Sequence, residues 1–446
     1  MLRPRRRTGF WLLLALLLTL IAVRYALQIE IPRVLFVAII ALMALLGDKS
    51  EIIALCICCI PLHESIDFFY SVVLTVAAYV MKYYRRMRIG PSFGLILAMI
   101  AWELLHCLRS EFSPVAFLTA VIPLIVLGVM MYSDLEDLDY AFVVRAFSVA
   151  TLSVCMTLLV KVLYLSGFNI LGAVAGLQRL GLDTQEALHS VTVEGGQVNP
   201  NTLGIISVLA VTGLMQIRHR GQGRRMDILI ACILMVFGAL TASRTYLACL
   251  AFMTVLLIFA QEGSLNRKFR FLGMIVVLIA VALVVLYLLF PELLVYYISR
   301  FFVRDITTGR MDLMALYGEF IVSRPRVLLF GIGLQDYDAT LVEIYRIASV
   351  VPHNAIQELI IAWGVPGILL FGGLFACMFH AASGRRYTLL NAIPLLIILF
   401  KGLAGQMLTS AYTILALSYA YLSLCADLHP QRIFSRTDTP SGHDIN

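Results

Sequence analysis

Residues 228–260 read ILIACILMVFGALTASRTYLACLAFMTVLLIFA, with RHRGQGRR before them at 218–225 and RKFR after them at 267–270. Two solid apolar runs meet at a short polar turn, TASRT. Basic flanks mark the cytoplasmic side of a membrane segment, so both flanks belong on one side and the stretch must cross twice. The first run, 228–242, makes a helix of only about 22 Å against ~30 Å of hydrocarbon. The turn, which carries Arg244, is therefore expected below the outer membrane surface.

The same pattern runs the length of the chain. Of 446 residues, 61% are hydrophobic and 14% charged, with a mean hydropathy of +0.92; a soluble domain carries roughly 45–50% apolar and about 25% charged residues. Further spans are expected near 10–23, 34–46, 52–61, 66–81, 89–108, 115–131, 140–165, 199–216, 271–290, 353–380, 388–404 and 407–425. Solid runs exclude the alternation of a membrane β-barrel. The fold class is all-α: one polytopic transmembrane bundle over 1–425, of about 12–14 spans.

Four arginines within Met1–Arg7 precede the first run without a cleavage pattern, so it reads as an uncleaved span with its N-terminus in the cytoplasm. KYYRRMR at 82–88 and Arg385–Arg386 then also fall inside. Two long segments fall outside, about 166–198 and about 291–352. Residues 426–446 read as a disordered cytoplasmic tail. The formal charge of +7 is spread between spans rather than gathered in a patch, which is not a nucleic-acid pattern. Cys56, Cys58, Cys59, His63 and Glu64 invite a metal reading, but with no second ligand cluster they read better as packing in a short span. No metal site and no cofactor is expected.

The second outer segment carries Arg300, Arg304, Arg310, Arg324, Arg326 and Arg346 and no lysine. Within it TTGRMDLMALYGEF predicts a helix start, with Thr308 as cap, Arg310 in the first turn and an apolar stripe of Met311, Leu313, Met314 and Leu316–Tyr317. The GIG of RPRVLLFGIGLQDY lacks the third glycine and βαβ context of a nucleotide loop and reads as a turn between helical pieces. In PHNAIQELIIAWGVPG, Pro352 suits a helix's first turn, with His353 and Asn354 beside it. A helix N-terminus disfavours imidazolium, so His353 is expected neutral and able to accept a proton; an interfacial histidine bonding headgroups is the plainer alternative. Glu103, His106, Arg109 and Lys161 are either functional or close enough to a span end to snorkel. Asn199-Pro200-Asn201 opens a span. Guanidinium forks suit pyrophosphate oxygens, so the arginines and a neutral histidine at the outer leaflet fit a lipid pyrophosphate substrate.

The ordered set QVNPNTLG, ASRTYL, TGRMDLM, VLLFGIGL and PHNAIQELIIAWGVPG, covering roughly residues 195–372, resembles the O-antigen ligase / O-antigen polymerase superfamily of bacterial membrane glycosyltransferases. NPNTLG looks more like the capsule or exopolysaccharide polymerases. The resemblance implies a multi-helix, GT-C-like fold in the bacterial cytoplasmic membrane. It also implies an undecaprenyl-pyrophosphate-linked glycan donor, a lipid-linked or other glycan acceptor, and metal-independent, inverting transfer on the extracytoplasmic face. A chain-length regulator protein is a further partner of that class. By position, Arg244, Arg310 and His353 match the family's catalytic turn arginine, loop arginine and loop histidine. Arg300, Arg304, Asn201 and Asn354 are carried as substrate-binding candidates.

Polymerase and ligase differ in acceptor, which no residue here reads. A transporter or flippase of the same lipid-linked glycans is the alternative of another class. It would place charges along a path at the bilayer midplane. Here they gather on one side, and no internal repeat is evident.

Overall fold

The computed structural model describes residues 7–109, 112–135, 137–169, 180, 198–260, 266, 268–270, 273, 284, 287–288, 291–299, 309–335, 337, 340–341, 352–383, 389–403, 405 and 411–426. Among them every regular element is a helix. In order these are α1 (Thr8–Ala26), α2 (Arg33–Leu46), α3 (Lys49–Leu62), α4 (Phe68–Tyr83), α5 (Ser92–Cys107), α6 (Pro114–Tyr132), α7 (Tyr140–Leu165) and α8 (Pro200–His219). There follow α9 (Arg225–Leu240), α10 (Arg244–Ala260), α11 (Pro291–Ile298), α12 (Arg310–Val322), α13 (Pro325–Phe330), α14 (Ala355–Ser383), α15 (Leu389–Gly402) and α16 (Ala411–Leu424). The helices α1, α6, α7, α8 and α14 are long and apolar enough to cross a membrane, and α2, α5, α10, α15 and α16 are shorter apolar helices. Most of the span expected at 271–290, most of 166–198 and the tail beyond Ala426 lie outside the described residues.

Helix boundaries follow local chemistry. Asp48 and Glu51 form a reciprocal cap at α3: Asp48 Oδ1 accepts the Glu51 N–H at 2.9 Å, and Glu51 Oε2 accepts the Asp48 N–H at 2.8 Å, which satisfies two donors left over at a helix start. α6 opens with Ser113 Oγ accepting from Ala116 N at 3.3 Å ahead of Pro114.

The core sits around α3, α7, α8, α15 and α16, whose side chains are buried on nearly all sides. Lipid offers apolar helices no hydrophobic drive to associate, so close contact and hydrogen bonds decide their packing. Gly213 of α8 leaves room for the Tyr419 hydroxyl of α16, where any Cβ would collide. Cys56, Cys58 and Cys59 are wholly buried in α3, all nine cysteines are free, and no metal-holding cluster occurs among the described residues.

Polar side chains tie one end of the bundle. Arg7 pairs with Asp139 at 3.0 Å; Lys49 Nζ donates to the Asp134 carbonyl at 2.8 Å; Lys82 Nζ donates to the carbonyls of Leu45 and Gly47 at 2.6 and 2.8 Å. Arg145 pairs with Asp227 at 3.1 Å. Gln216 accepts from Tyr140 Oη at 2.6 Å and donates to the Leu390 carbonyl at 2.6 Å, joining α7, α8 and α15. The basic clusters 82–88 and 218–225 thus share an end with the N-terminus of α1.

Candidate functional site

The opposite end collects the N-termini of α8, α10, α12 and α14. At α8, Asn199 Oδ1 accepts the Asn201 N–H at 2.9 Å, and Pro200 takes the first helical position, where a missing N–H costs nothing. Asn201 Oδ1 in turn accepts Ser243 Oγ–H at 2.7 Å, which fastens α8 to the turn before α10.

That turn is built tightly. Thr241 Oγ1 donates to the Gly238 carbonyl at 2.6 Å, Ala242 takes the left-handed conformation at φ +46, and Ser243 Oγ accepts the Tyr246 N–H at 3.2 Å. The Tyr246 ring fits against α8 and α9 because Gly204 and Gly238 carry no Cβ, and its hydroxyl donates to the Met235 carbonyl at 2.8 Å. Arg244, first residue of α10, is thereby fixed in place.

Arg310 is the first residue of α12. The cap position belongs to Gly309, at φ +73, whose carbonyl accepts the Leu313 N–H at 3.0 Å; Thr308 lies outside the described residues. The buried face is Tyr317, Phe320 and Ile321, while Met311 is 60% exposed. The predicted stripe is corrected on this point, because α12 docks through its second half. Gln357 Nε2 of α14 donates to the Met314 carbonyl at 2.7 Å.

The start of α14 also differs from expectation. Asn354 Oδ1 accepts the N–H groups of Ile356 and Gln357 at 3.0 and 3.2 Å, and Nδ2 donates to the Leu403 carbonyl at 3.1 Å. Asn354 is the cap, so Pro352 and His353 precede the helix rather than form its first turn. The Leu403 bond brings the end of α15, with Lys401, to His353.

Charge defines this end. Burial, then the charges of Arg310 and Lys401, hold His353 below the ordinary imidazole range, so it is neutral at neutral pH. Burial, then Arg244, draw Arg310 below the usual guanidinium value, though guanidinium stays protonated at any working pH. Among the described residues no carboxylate lies within ion-pair distance of Arg310. Arginine at a helix's first position opposes the helix dipole, and like charges side by side oppose each other. An anion relieves both.

Lys401 went unread in the sequence, although a buried lysine (7% exposed) in an apolar run is itself a signal. Its Nζ donates to Thr413 Oγ1 at 3.3 Å and lies 5.4 Å from the Tyr412 ring centre; Tyr412 stacks on His63 at 5.3 Å. His63 also pairs with Glu64 at 3.3 Å, so that pair belongs to the margin of this site. Arg300 and Arg304 lie outside the described residues.

A second cluster holds the loop from Gly331 to Gln335. α14 breaks at Gly364, with φ +65 and ψ −157, two residues before Pro366, which has no N–H to offer the Ala362 carbonyl. The loop supplies what the helix lacks: Gly333 N donates to Ala362 O and Ile332 N to Ile361 O, both at 2.8 Å. The GIG turn is thus a patch on a broken helix. His106 faces the Trp102 and Phe330 carbonyls with its two ring nitrogens, each at 2.8 Å. Glu103 and His106 neither snorkel nor reach the cationic cluster; they hold the loop.

No family model and no curated protein matches this chain.

Proposed function

We propose that this chain is a membrane glycosyltransferase with a GT-C-like bundle in the bacterial cytoplasmic membrane. In this reading it is a polysaccharide polymerase that moves a glycan from an undecaprenyl-pyrophosphate donor to a lipid-linked glycan acceptor on the extracytoplasmic face. The observation that supports it is the gathering of Arg244, Arg310 and Lys401 about a neutral His353, where helix N-termini meet. The opposite end carries the basic clusters, which the positive-inside rule assigns to the cytoplasm.

The chemistry follows from these groups. The acceptor hydroxyl oxygen bonds to the anomeric carbon as the bond from that carbon to the pyrophosphate oxygen breaks, so a single displacement inverts the centre. The leaving pyrophosphate keeps the electron pair, and the cations stabilise the charge it gains. The hydroxyl proton passes to His353, which its cationic neighbours keep free to receive it. Transfer to a lipopolysaccharide core, as in a ligase, uses the same steps with another acceptor.

Purified protein in lipid discs, supplied with donor, tests this reading. Arg310→Lys and Arg244→Lys retain charge but lose the paired donors, and each should slow transfer by about 10²–10³. His353→Ala should slow it by roughly 10²–10⁴ with donor binding kept, and EDTA should leave the rate unchanged. Full activity of His353→Ala, or strict dependence on added Mg²⁺, would overturn the mechanism. Accumulation of single-repeat lipid-linked glycans in cells lacking the protein marks a polymerase; accumulation of full-length lipid-linked polymer marks a ligase.

A further inference from the structure

Tyr412, in the first turn of α16, stands where several elements meet. Its ring stacks on that of His63, just past α3, at 5.3 Å and 29°. The imidazole is itself held, with Nδ1 2.7 Å from the Ile60 carbonyl and Nε2 3.3 Å from Glu64. The Tyr412 hydroxyl lies within hydrogen-bond reach of Thr202 in the first turn of α8, of Thr413 beside it, and of Lys401 near the end of α15. A phenylalanine would serve the His63 stack equally well; the hydroxyl is what Thr202, Thr413 and Lys401 use.

Lys401 is the group that needs holding. Its ammonium rides on a flexible four-carbon stem, and an ammonium inside an apolar bundle is costly. Gly405 packs against that stem, where any Cβ would come 3.0 Å from Lys401 Cε. Beyond the stem, Nζ donates to Thr413 Oγ1 at 3.3 Å and lies 5.4 Å from the Tyr412 ring centre. Hydroxyls accept from an ammonium without carrying a charge that would cancel it. The Lys401 charge accordingly reaches His353, where it is one of the causes that hold the imidazole below its ordinary range. A like charge disfavours the protonated form, and its effect falls with distance, so the place of Nζ decides how strongly His353 is kept neutral.

We propose that Tyr412 is a positioning residue of this site: its hydroxyl, with that of Thr413, holds the Lys401 ammonium where its charge acts on His353. The tyrosine does not touch the reacting atoms. It acts through the lysine, and it ties the ends of α3, α8 and α15 to that task. The consequence for glycan transfer rests on the transferase reading; the effect on His353 does not.

The full chain in lipid discs, with its histidines isotopically labelled, tests this by NMR. The His353 signal is identified by its loss in His353→Gln. In Tyr412→Phe the His353 titration should move to higher pH, part of the way to its position in Lys401→Met. In the double variant it should stay at the Lys401→Met position, because two residues acting through one contact are not additive. Thr413→Val should move the titration in the same sense and Thr413→Ser should restore it, so a second route stands even where Tyr412→Phe fails to fold. Transfer by Tyr412→Phe should fall severalfold near neutral pH, with its acid limb displaced in step with the titration. A His353 titration left in place by both Tyr412→Phe and Thr413→Val would overturn the assignment. So would a shift of equal size with Lys401 present and absent, which would make Tyr412 a merely structural residue. The titrations need no turnover: a native protein that transfers no glycan yet shows these shifts loses the transferase reading and keeps the positioning role.

Discussion

Glu103 accepts the indole N–H of Trp363 at 2.6 Å, across 260 residues of chain. The same carboxylate accepts the backbone N–H groups of Leu334 at 2.9 Å and Gln335 at 3.1 Å. One buried charge therefore holds together α5, α14 and the loop after α13. With the Cys107 thiol at 3.6 Å, four donors converge on it, and a carboxylate has the lone pairs to meet them all.

Glu103→Gln keeps the shape but turns one acceptor into a donor facing N–H groups. Each hydrogen bond to a charged group contributes about 1.5–3 kcal/mol, so a loss on that order is expected. Thermal unfolding should show a lower midpoint. Trp363 fluorescence should shift as its indole loses the carboxylate. An unchanged midpoint would mean the loop is held elsewhere.

Gly364 sits at a backbone conformation open to glycine, with Leu329 and Phe330 backbone where a Cβ would go. Gly364→Ala should cost about 1–3 kcal/mol from the backbone alone, with steric overlap added. Pro366→Ala restores an N–H that competes with Gly333 for the Ala362 carbonyl, and should cost less. Unfolding midpoints of the two variants, compared with the parent, check the order.

His353 gives a signed pH dependence. Its folded value is depressed, so the neutral form contributes stability that is present above the ordinary imidazole value of about 6.5 and is lost as pH falls through the depressed one. Activity should hold level at neutral pH and fall on the acid side, below pH 6.5. Lys401→Met removes a charge that lowers His353, so the acid limb should move to higher pH. A limb that stays in place in Lys401→Met would detach Lys401 from His353. Bound pyrophosphate should move the His353 titration upward, readable by NMR of the labelled imidazole.

Topology can be read chemically. Gln222, whose carbonyl accepts from Arg145, belongs to the basic end, and Glu64 to the end that carries the cationic cluster. An impermeant maleimide should label Glu64→Cys in intact cells and Gln222→Cys only after lysis, measured over the background of the parent cysteines. Labelling of position 222 from outside would reverse the orientation.

The sequence by itself determined the helices. Apolar runs are local, and so are the Asp48, Ser113 and Asn199 caps; described helices such as α7 and α10 lie within a residue or two of the periodicity. Polar residues stand out against an apolar background, but it was the resemblance of the ordered motifs that set Arg244, Arg310 and His353 apart from Glu103, His106, Arg109 and Lys161. Tertiary structure decided what those residues meet. Lys401 lies 48 residues beyond His353, and the packing of its helix, with the Asn354–Leu403 bond at its end, brings it there. Glu103 and His106 had equal claims as functional charges until their partners were seen, at Trp363 and Phe330. The GIG turn had no visible purpose until Pro366 left a carbonyl for it to satisfy. Hydrogen-bond partners across hundreds of residues leave no periodicity in the chain, so the fold alone specifies them.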